Sequence, residues 1–314
     1  MSTLSLRQKW RTRNLSVLDY LHAGRDDSRQ LIYKLLPLVT EPRRRQALGR
    51  LWALFKPSSH KLELGEEVTE QLAQLRREGV LTGLPAIDAP RLKDILDYFQ
   101  SQPCQDPWRP HLGLFPWDQA PSQECNMGTY TAEQIVRAPH VMALFNHPRL
   151  LALAEGYIGC KPTLDNVGCW WSYSRRSVAK GTQKFHRDFD SIGGFKVFFY
   201  LTDVGTEQGP HEYLRGSHAQ QTLDTGAAIA EDLLWKHYES GRSLVITGKA
   251  GTSFLVDTFG IHRGQLPTEG WRLMLSAQYN INMSPHGPQQ PFSVPGGQAF
   301  DAYINRLYLQ SPWK

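Results

Sequence analysis

The second half of this 314-residue chain limits its fold more than any other feature. From Asn166 onward, short runs rich in Val, Phe, Tyr, Trp and Thr follow one another: "NVGCWWSYS", "FKVFFYLTDV", "RSLVITG", "GTSFLVDTF" and "RLMLSAQYNI", each ended by Gly, Pro or polar residues. β-Branched and aromatic side chains suit a pleated, half-buried surface, and short strands at this spacing point to a β-sandwich or jelly roll. No internal repeat accompanies them.

The first half has a different texture. From about residue 15 to 56 the apolar positions recur at three- and four-residue spacing, through "SRQLIYKLLPLV" and "EPRRRQALGRLWALF", with a break at Glu41-Pro42. "GEEVTEQLAQLRREG" reads as a helix capped by Gly79, and "RLKDILDYFQ" and "PRLLALAEGYIG" read as two more. "MSPHGPQQPFSVPGG" is an irregular segment, followed by a short helix expected around "FDAYINRLYLQ". The expectation is therefore an α+β protein: a basic helical segment over residues 1–62 and a jelly-roll domain over 63–314, joined without a long flexible linker into one integrated unit.

Charge separates the two parts. Residues 1–62 hold 13 Lys and Arg against 4 Asp and Glu, a net of +9, which leaves −4 for the rest of a chain whose total is +5. An arginine-rich helix face is first of all solvated. Weak association with an anionic membrane surface is the second reading, and nucleic acid is not expected because no binding motif accompanies the charge. The apolar runs are far shorter than the roughly 20 residues of a spanning helix, and no apolar signal core opens the sequence, so a cytoplasmic location is expected. Cys104, Cys125, Cys160 and Cys169 lie far apart, a spacing for reduced, inert thiols and not for a zinc knuckle or disulfide framework.

The chemistry concentrates in "FHRDFD". Alternate residues of a strand share a face, so His186 and Asp188 present an imidazole and a carboxylate side by side. That is two-thirds of a 2-His-1-carboxylate set, which holds non-haem Fe(II) with open positions. His262, in "FLVDTFGIHRG" at the end of another expected strand, supplies the second imidazole. Arg272, in "GWRLMLSAQY", offers a permanently charged, bidentate partner for a carboxylate.

The ordered series "HRD", "GPHEYLRGSH", "VDTFGIHRG" and "WRLMLSAQY", over roughly residues 165 to 282, resembles the phytanoyl-CoA dioxygenase-like branch of the Fe(II)/2-oxoglutarate-dependent oxygenases. The resemblance implies a double-stranded β-helix, a jelly-roll barrel with the N-terminal helices packed around it. His186, Asp188 and His262 would be the iron ligands, Arg272 would hold the distal carboxylate of 2-oxoglutarate, and Tyr200 would face the co-substrate. O2 is the further co-substrate it implies. His211 and His218, in the turn and strand before the "GSH" corner, would be structural. Gly264 departs from the small polar residue of related enzymes. Asp188 points to hydroxylation or another oxidation, because halogenating relatives carry a small residue there.

Bland readings stand beside these. "FFY" in an apolar strand is core by default, so Tyr200 stands evenly between core and co-substrate. Asp190 could face a substrate but reads first as solvated, and Trp171 and Tyr173, on one strand face, could line a pocket but read first as core packing. The implied function is a dioxygenase hydroxylating a small specialised metabolite, a glycan or a lipid precursor. The alternatives are a catalytically inactive jelly-roll binding module and a cupin-like metalloenzyme that does not use 2-oxoglutarate. Oligomeric state is open.

Overall fold

The structure, a computed structural model, describes residues 28–58, 65–175, 177–284, 287–294 and 299–310. The part of the expected helical stretch before residue 28 lies outside them. Eight α-helices are described: α1 (Ser28–Leu35), α2 (Pro42–Ala53), α3 (Glu66–Glu78), α4 (Ala89–Ser101), α5 (Ala132–Arg137), α6 (Val141–Phe145), α7 (Pro148–Ile158) and α8 (Glu231–His237). Their ends follow local chemistry. Glu41 caps α2 by accepting from the Arg43 and Arg44 amides, with Pro42 at the first helical position, where its missing N–H costs nothing. Gly79 ends α3 in the left-handed conformation at φ 75°, as expected of a glycine C-cap.

The strands are β1 (Val80–Leu81), β2 (Cys104–Gln105), β3 (Leu114–Phe115), β4 (Met127–Thr129), β5 (Thr163–Tyr173), β6 (Gly194–Tyr200), β7 (His211–Leu214), β8 (Ser243–Ile246), β9 (Ser253–Val256), β10 (His262–Gly264) and β11 (Trp271–Asn280). They form an eight-stranded sheet in the order β1-β9-β6-β11-β5-β4-β2-β3 and a three-stranded sheet in the order β10-β7-β8. All named pairings are antiparallel. This is the jelly-roll core expected from the strand texture, with the helices outside the large sheet.

Alternation along the strands decides what faces where. Phe195, Val197 and Phe199 of β6 pack outward with Phe145, Leu153 and Tyr157 of the helices in the main apolar cluster. Phe198 and Tyr200, the intervening residues, join Tyr213, Ile246, Phe254 and Met274 in a second cluster between the two sheets. Burying an aromatic or branched side chain of this size contributes roughly 2 kcal/mol. Trp171 and Tyr173 are core residues, as expected: Trp171 stacks on Trp117 at 4.3 Å and donates to the Tyr130 hydroxyl at 2.8 Å. All four cysteines are buried and unpaired.

The C-terminal segment corrects one expectation. Residues 302–308 form successive hydrogen-bonded turns in place of a helix. The Ile304 carbonyl, which a helix would use for the Tyr308 amide, accepts from Leu164 of β5 at 2.9 Å, and Tyr308 N donates to Asn305 O. Tertiary pairing with the sheet replaces the local ladder.

Candidate functional site

His186 and His262 face each other across an isolated antiparallel bridge. Each amide donates to the other's carbonyl at 3.0 Å. In a directly opposed pair the side chains lie side by side, and the two imidazole centroids are 4.3 Å apart. Two residues on, Asp188 N donates to Thr258 O at 2.9 Å. Its carboxylate comes within 3.5 Å of His186 Nε2 and 3.8 Å of His262 Nε2. One nitrogen from each histidine and one oxygen from Asp188 all lie within 4.8 Å of one another, a spacing able to hold a metal ion.

The segment is fixed from behind. Arg187 points the other way, as alternation requires, and donates to the carbonyls of Ser217, Phe259, Gln220 and Thr222. Before His262, the Asp257 side chain accepts from the Phe259 amide and closes a tight turn. Gly260 is required there, since a Cβ would lie 1.9 Å from the Tyr213 hydroxyl oxygen.

Both imidazoles have their other nitrogen engaged: His186 Nδ1 with Lys184 O at 2.8 Å and His262 Nδ1 with Gly260 O at 2.9 Å. A carbonyl only accepts, so each Nδ1 carries the proton and, in the neutral ring, each Nε2 lone pair is left facing Asp188. Burial, reinforced by neighbouring His186, pushes His262 down to about 3. Burial also works against charge on His186, but its contact with Asp188 outweighs that and raises its pKa above the ordinary 6.5. For Asp188 burial favours the neutral acid. The Lys196 ammonium, followed by His186 and His262, overrides it and holds the carboxyl well below its usual range.

Arg272 is buried on β11, opposite Ser172 of β5. Its Nη1 donates to Gly209 O, its Nη2 lies 3.3 Å from Ser172 Oγ, and its Nε has no partner. Among the described residues no carboxylate lies within 4 Å of this guanidinium. Burial lowers its pKa, and Tyr200 nearby opposes the shift. Gly264 leaves the approach open, since a Cβ there would sit 3.5 Å from Arg272 Nη2.

His186, Asp188, His262 and Arg272 line one cavity of about 310 Å3, together with Trp170, Lys196, Phe198, His211, Met274 and Gln278. Tyr200 does not line it. Its hydroxyl donates to Ile246 O at 2.7 Å and accepts from the His211 amide at 2.9 Å, deeper between the sheets. His211 is buried with Nε2 unpartnered, its ring stacked 5.5 Å from that of His262. Burial, then His262 and Arg272, push it well below its usual pKa. His218 lies apart, with Nε2 against Arg76 O at 3.1 Å.

The sequence reading missed Lys196 and misjudged Asp190. Lys196 Nζ lies 2.7 Å from Asp188 Oδ2 and 3.5 Å from Asp190 Oδ2, so Asp190 is an ion-pair partner and not merely solvated. Burial works against the Lys196 charge, but Asp188 and then Asp190 raise its pKa above the ordinary value. Lys196 pairs in register with Gln278, and Gln278 with Asn166, so a polar row crosses three strands at the level of Asp188. The available signal was the lone lysine in "FKVFFYL", a charge inside an otherwise apolar strand.

Asp188 and Gln278 also line a second, larger cavity of about 580 Å3. Its wall includes Pro42, Arg45, Gln46, Gly49 and Arg50 of α2. Arg45 seats that helix, donating to Val39 O at 2.8 Å and to Ser191 O, with its guanidinium 4.3 Å over the Phe259 ring.

No protein-family profile and no curated protein sequence matches the chain. Solved structures do. The epimerase SnoN, crystallised with Fe3+, alpha ketoglutarate and nogalamycin RO, is 20% identical over 74% of this chain and 92% of its own, with a TM-score of 0.50. EctD from S. alaskensis, with 2-oxoglutarate and 5-hydroxyectoine, is 18% identical over 81% of this chain and 88% of its own, TM-score 0.48. HygX from Streptomyces hygroscopicus, with nickel, 2-oxoglutarate and hygromycin B, is 17% identical over 76% and 96%, TM-score 0.45. The likeness to SnoN shows that the two chains share a fold.

Proposed function

We propose that this chain is a non-haem Fe(II)- and 2-oxoglutarate-dependent oxygenase that hydroxylates a small molecule. The carrying observation is Arg272, a buried guanidinium without a carboxylate partner among the described residues, in one cavity with His186, Asp188 and His262. An uncompensated buried charge is costly, so a ligand that brings a carboxylate to Arg272 repays it.

The donor set fits the metal. Two Nε2 lone pairs and one ionised carboxylate are the N,N,O donors of a facial triad, and both imidazole tautomers are fixed by backbone carbonyls. Bound there, Fe(II) supplies oxygen activation coupled to decarboxylation of 2-oxoglutarate. The chain does the rest. Arg272 fixes the distal carboxylate through its unpartnered Nε and the fork beside it, and Gly264 keeps the approach clear. Trp170, Phe198 and Met274 make the wall apolar and keep water from the reacting end. Lys196 orients Asp188 through one oxygen. Tyr200 acts at one remove, through the His211 amide it accepts from. Two cavities of about 310 and 580 Å3 that share Asp188 and Gln278 in their walls suit a co-substrate and a small-molecule substrate on either side of Asp188.

The test is an anaerobic titration of the purified protein with Fe(II) and then 2-oxoglutarate, following the weak visible charge-transfer band of the chelate. A band in the wild type that fails in Asp188→Ala and weakens in Arg272→Ala supports the reading. Iron uptake without a band would point to a metalloenzyme that does not use 2-oxoglutarate, and no uptake by folded protein would point to a binding module.

A further inference from the structure

Helix α2 has two unlike faces. Its inner face, Pro42, Arg45 and Gly49, is buried and walls the larger cavity. Its other side, with the turn that follows, carries exposed apolar side chains among polar ones: Leu48 is 41% and Leu51 55% exposed in the helix, and Leu54 78% and Phe55 80% just past its end. Of eleven exposed large hydrophobic side chains among the described residues, five lie between Leu35 and Phe55, so the exposure is concentrated and not scattered. Leu48 and Leu51, three residues apart, share one side of the helix, and Leu54 and Phe55 follow in the turn directly after its end at Ala53. Arg43 and Arg44 are exposed on the same helix, Arg44 lying 3.6 Å from the capping Glu41 carboxylate, Arg50 is exposed at the rim of the larger cavity, and residues 42–58 hold no Asp or Glu.

An apolar patch with a surplus of cations beside it is complementary to a surface that is apolar inside and anionic outside. A second copy of the chain is a poor occupant, because a two-fold contact would bring the same arginines face to face. We propose that the outer side of α2 and the turn after it dock on an anionic lipid bilayer, with Leu51, Leu54 and Phe55 entering the headgroup boundary and Arg43 and Arg44 meeting lipid phosphates. Because the inner face of the same helix walls the larger cavity, docking sets that cavity against the lipid surface.

The experiment is co-sedimentation of the full, metal-free chain with vesicles of mixed phosphatidylcholine and phosphatidylglycerol, beside vesicles of phosphatidylcholine alone. Wild type should bind the anionic vesicles at least about tenfold more tightly, with binding weakened by salt. A Leu51→Glu/Phe55→Glu double variant, altered only at exposed positions, should keep its melting temperature and lose the binding. Hydrogen exchange with vesicles present should slow in α2 and not in α4. Absence of vesicle binding by wild type, or binding unchanged in the double variant, overturns the proposal. So does a concentration-dependent dimer, seen by light scattering and abolished by the same substitutions, in place of vesicle binding. No metal is added, so a negative result here leaves the iron and 2-oxoglutarate reading to its own test.

Discussion

Lys196 Nζ sits 2.7 Å from Asp188 Oδ2, a cation held against the carboxylate on which the candidate metal site depends. The pair is largely buried, so neither charge is compensated by water in place of the other. Lys196→Met should therefore destabilise the metal-free protein by roughly 3 kcal/mol. A divalent cation beside Asp188 would restore the missing charge. Urea denaturation with chelator and with Mn(II) should show a larger metal-induced gain in the variant than in wild type. An equal gain in both would mean that Lys196 does not serve as the counter-charge of Asp188.

Proton competition at the site should come from His186. Its pKa is raised above 6.5, whereas that of His262 is pushed down to about 3 and remains neutral through the working range. A metal needs the Nε2 lone pair, so binding below the raised His186 pKa must release one proton. Metal affinity should be flat above that pKa and fall by about tenfold per pH unit below it. Titrations at several pH values check the slope. A loss of two protons per metal in mildly acidic solution would place His262 wrongly.

Arg272→Ala should weaken 2-oxoglutarate binding by at least about thirtyfold, the equivalent of roughly 2 kcal/mol for a truncated buried ionic hydrogen bond. Metal affinity without co-substrate should stay nearly unchanged, because Arg272 is not in the three-residue cluster. Calorimetry of each ligand separately reads both. Equal losses in metal and co-substrate binding would indicate a damaged fold.

Gly209 holds the Arg272 end of the cavity. It sits at φ 73°, and a Cβ would lie 2.4 Å from Gln265 O, while its own carbonyl accepts from Arg272 Nη1. Gly209→Ala should cost about 1–3 kcal/mol from backbone strain alone, and should also weaken 2-oxoglutarate binding, read as a loss of melting temperature alongside a raised dissociation constant. A variant as stable as wild type would show that the turn relaxes at no cost.

Much of the site was legible before the structure. "HRD" announces its own geometry, because period-two alternation alone sets His186 and Asp188 on one face, and the all-apolar neighbours of "FKVFFYL" mark a buried strand. Lys196 was visible in that same strand, but its partner was not. Nothing local says that residue 196 reaches back to residue 188. Tyr200 shows the converse. The strand and the face are legible, yet the hydroxyl is taken by Ile246 O and the His211 amide, contacts made 46 and 11 residues away.

The sequence by itself determined the type of the longer elements: helices α1–α4 and α7, strands β5, β6, β8, β9 and β11, the α2 start at Glu41-Pro42 and the α3 stop at Gly79, though not the short strands β1–β4 or helix α8. These depend on backbone preferences and side-chain periodicity within a few residues. The tertiary structure alone decided which chemistry-bearing residues meet. The bridge between His186 and His262 closes 76 residues of chain, and the Lys196–Gln278–Asn166 row is set by strand register. The turns after Asp301 replace an expected helix because the Ile304 carbonyl is taken by Leu164. Register and sheet pairing are fixed by burial across the whole barrel, a property that no short window of sequence contains.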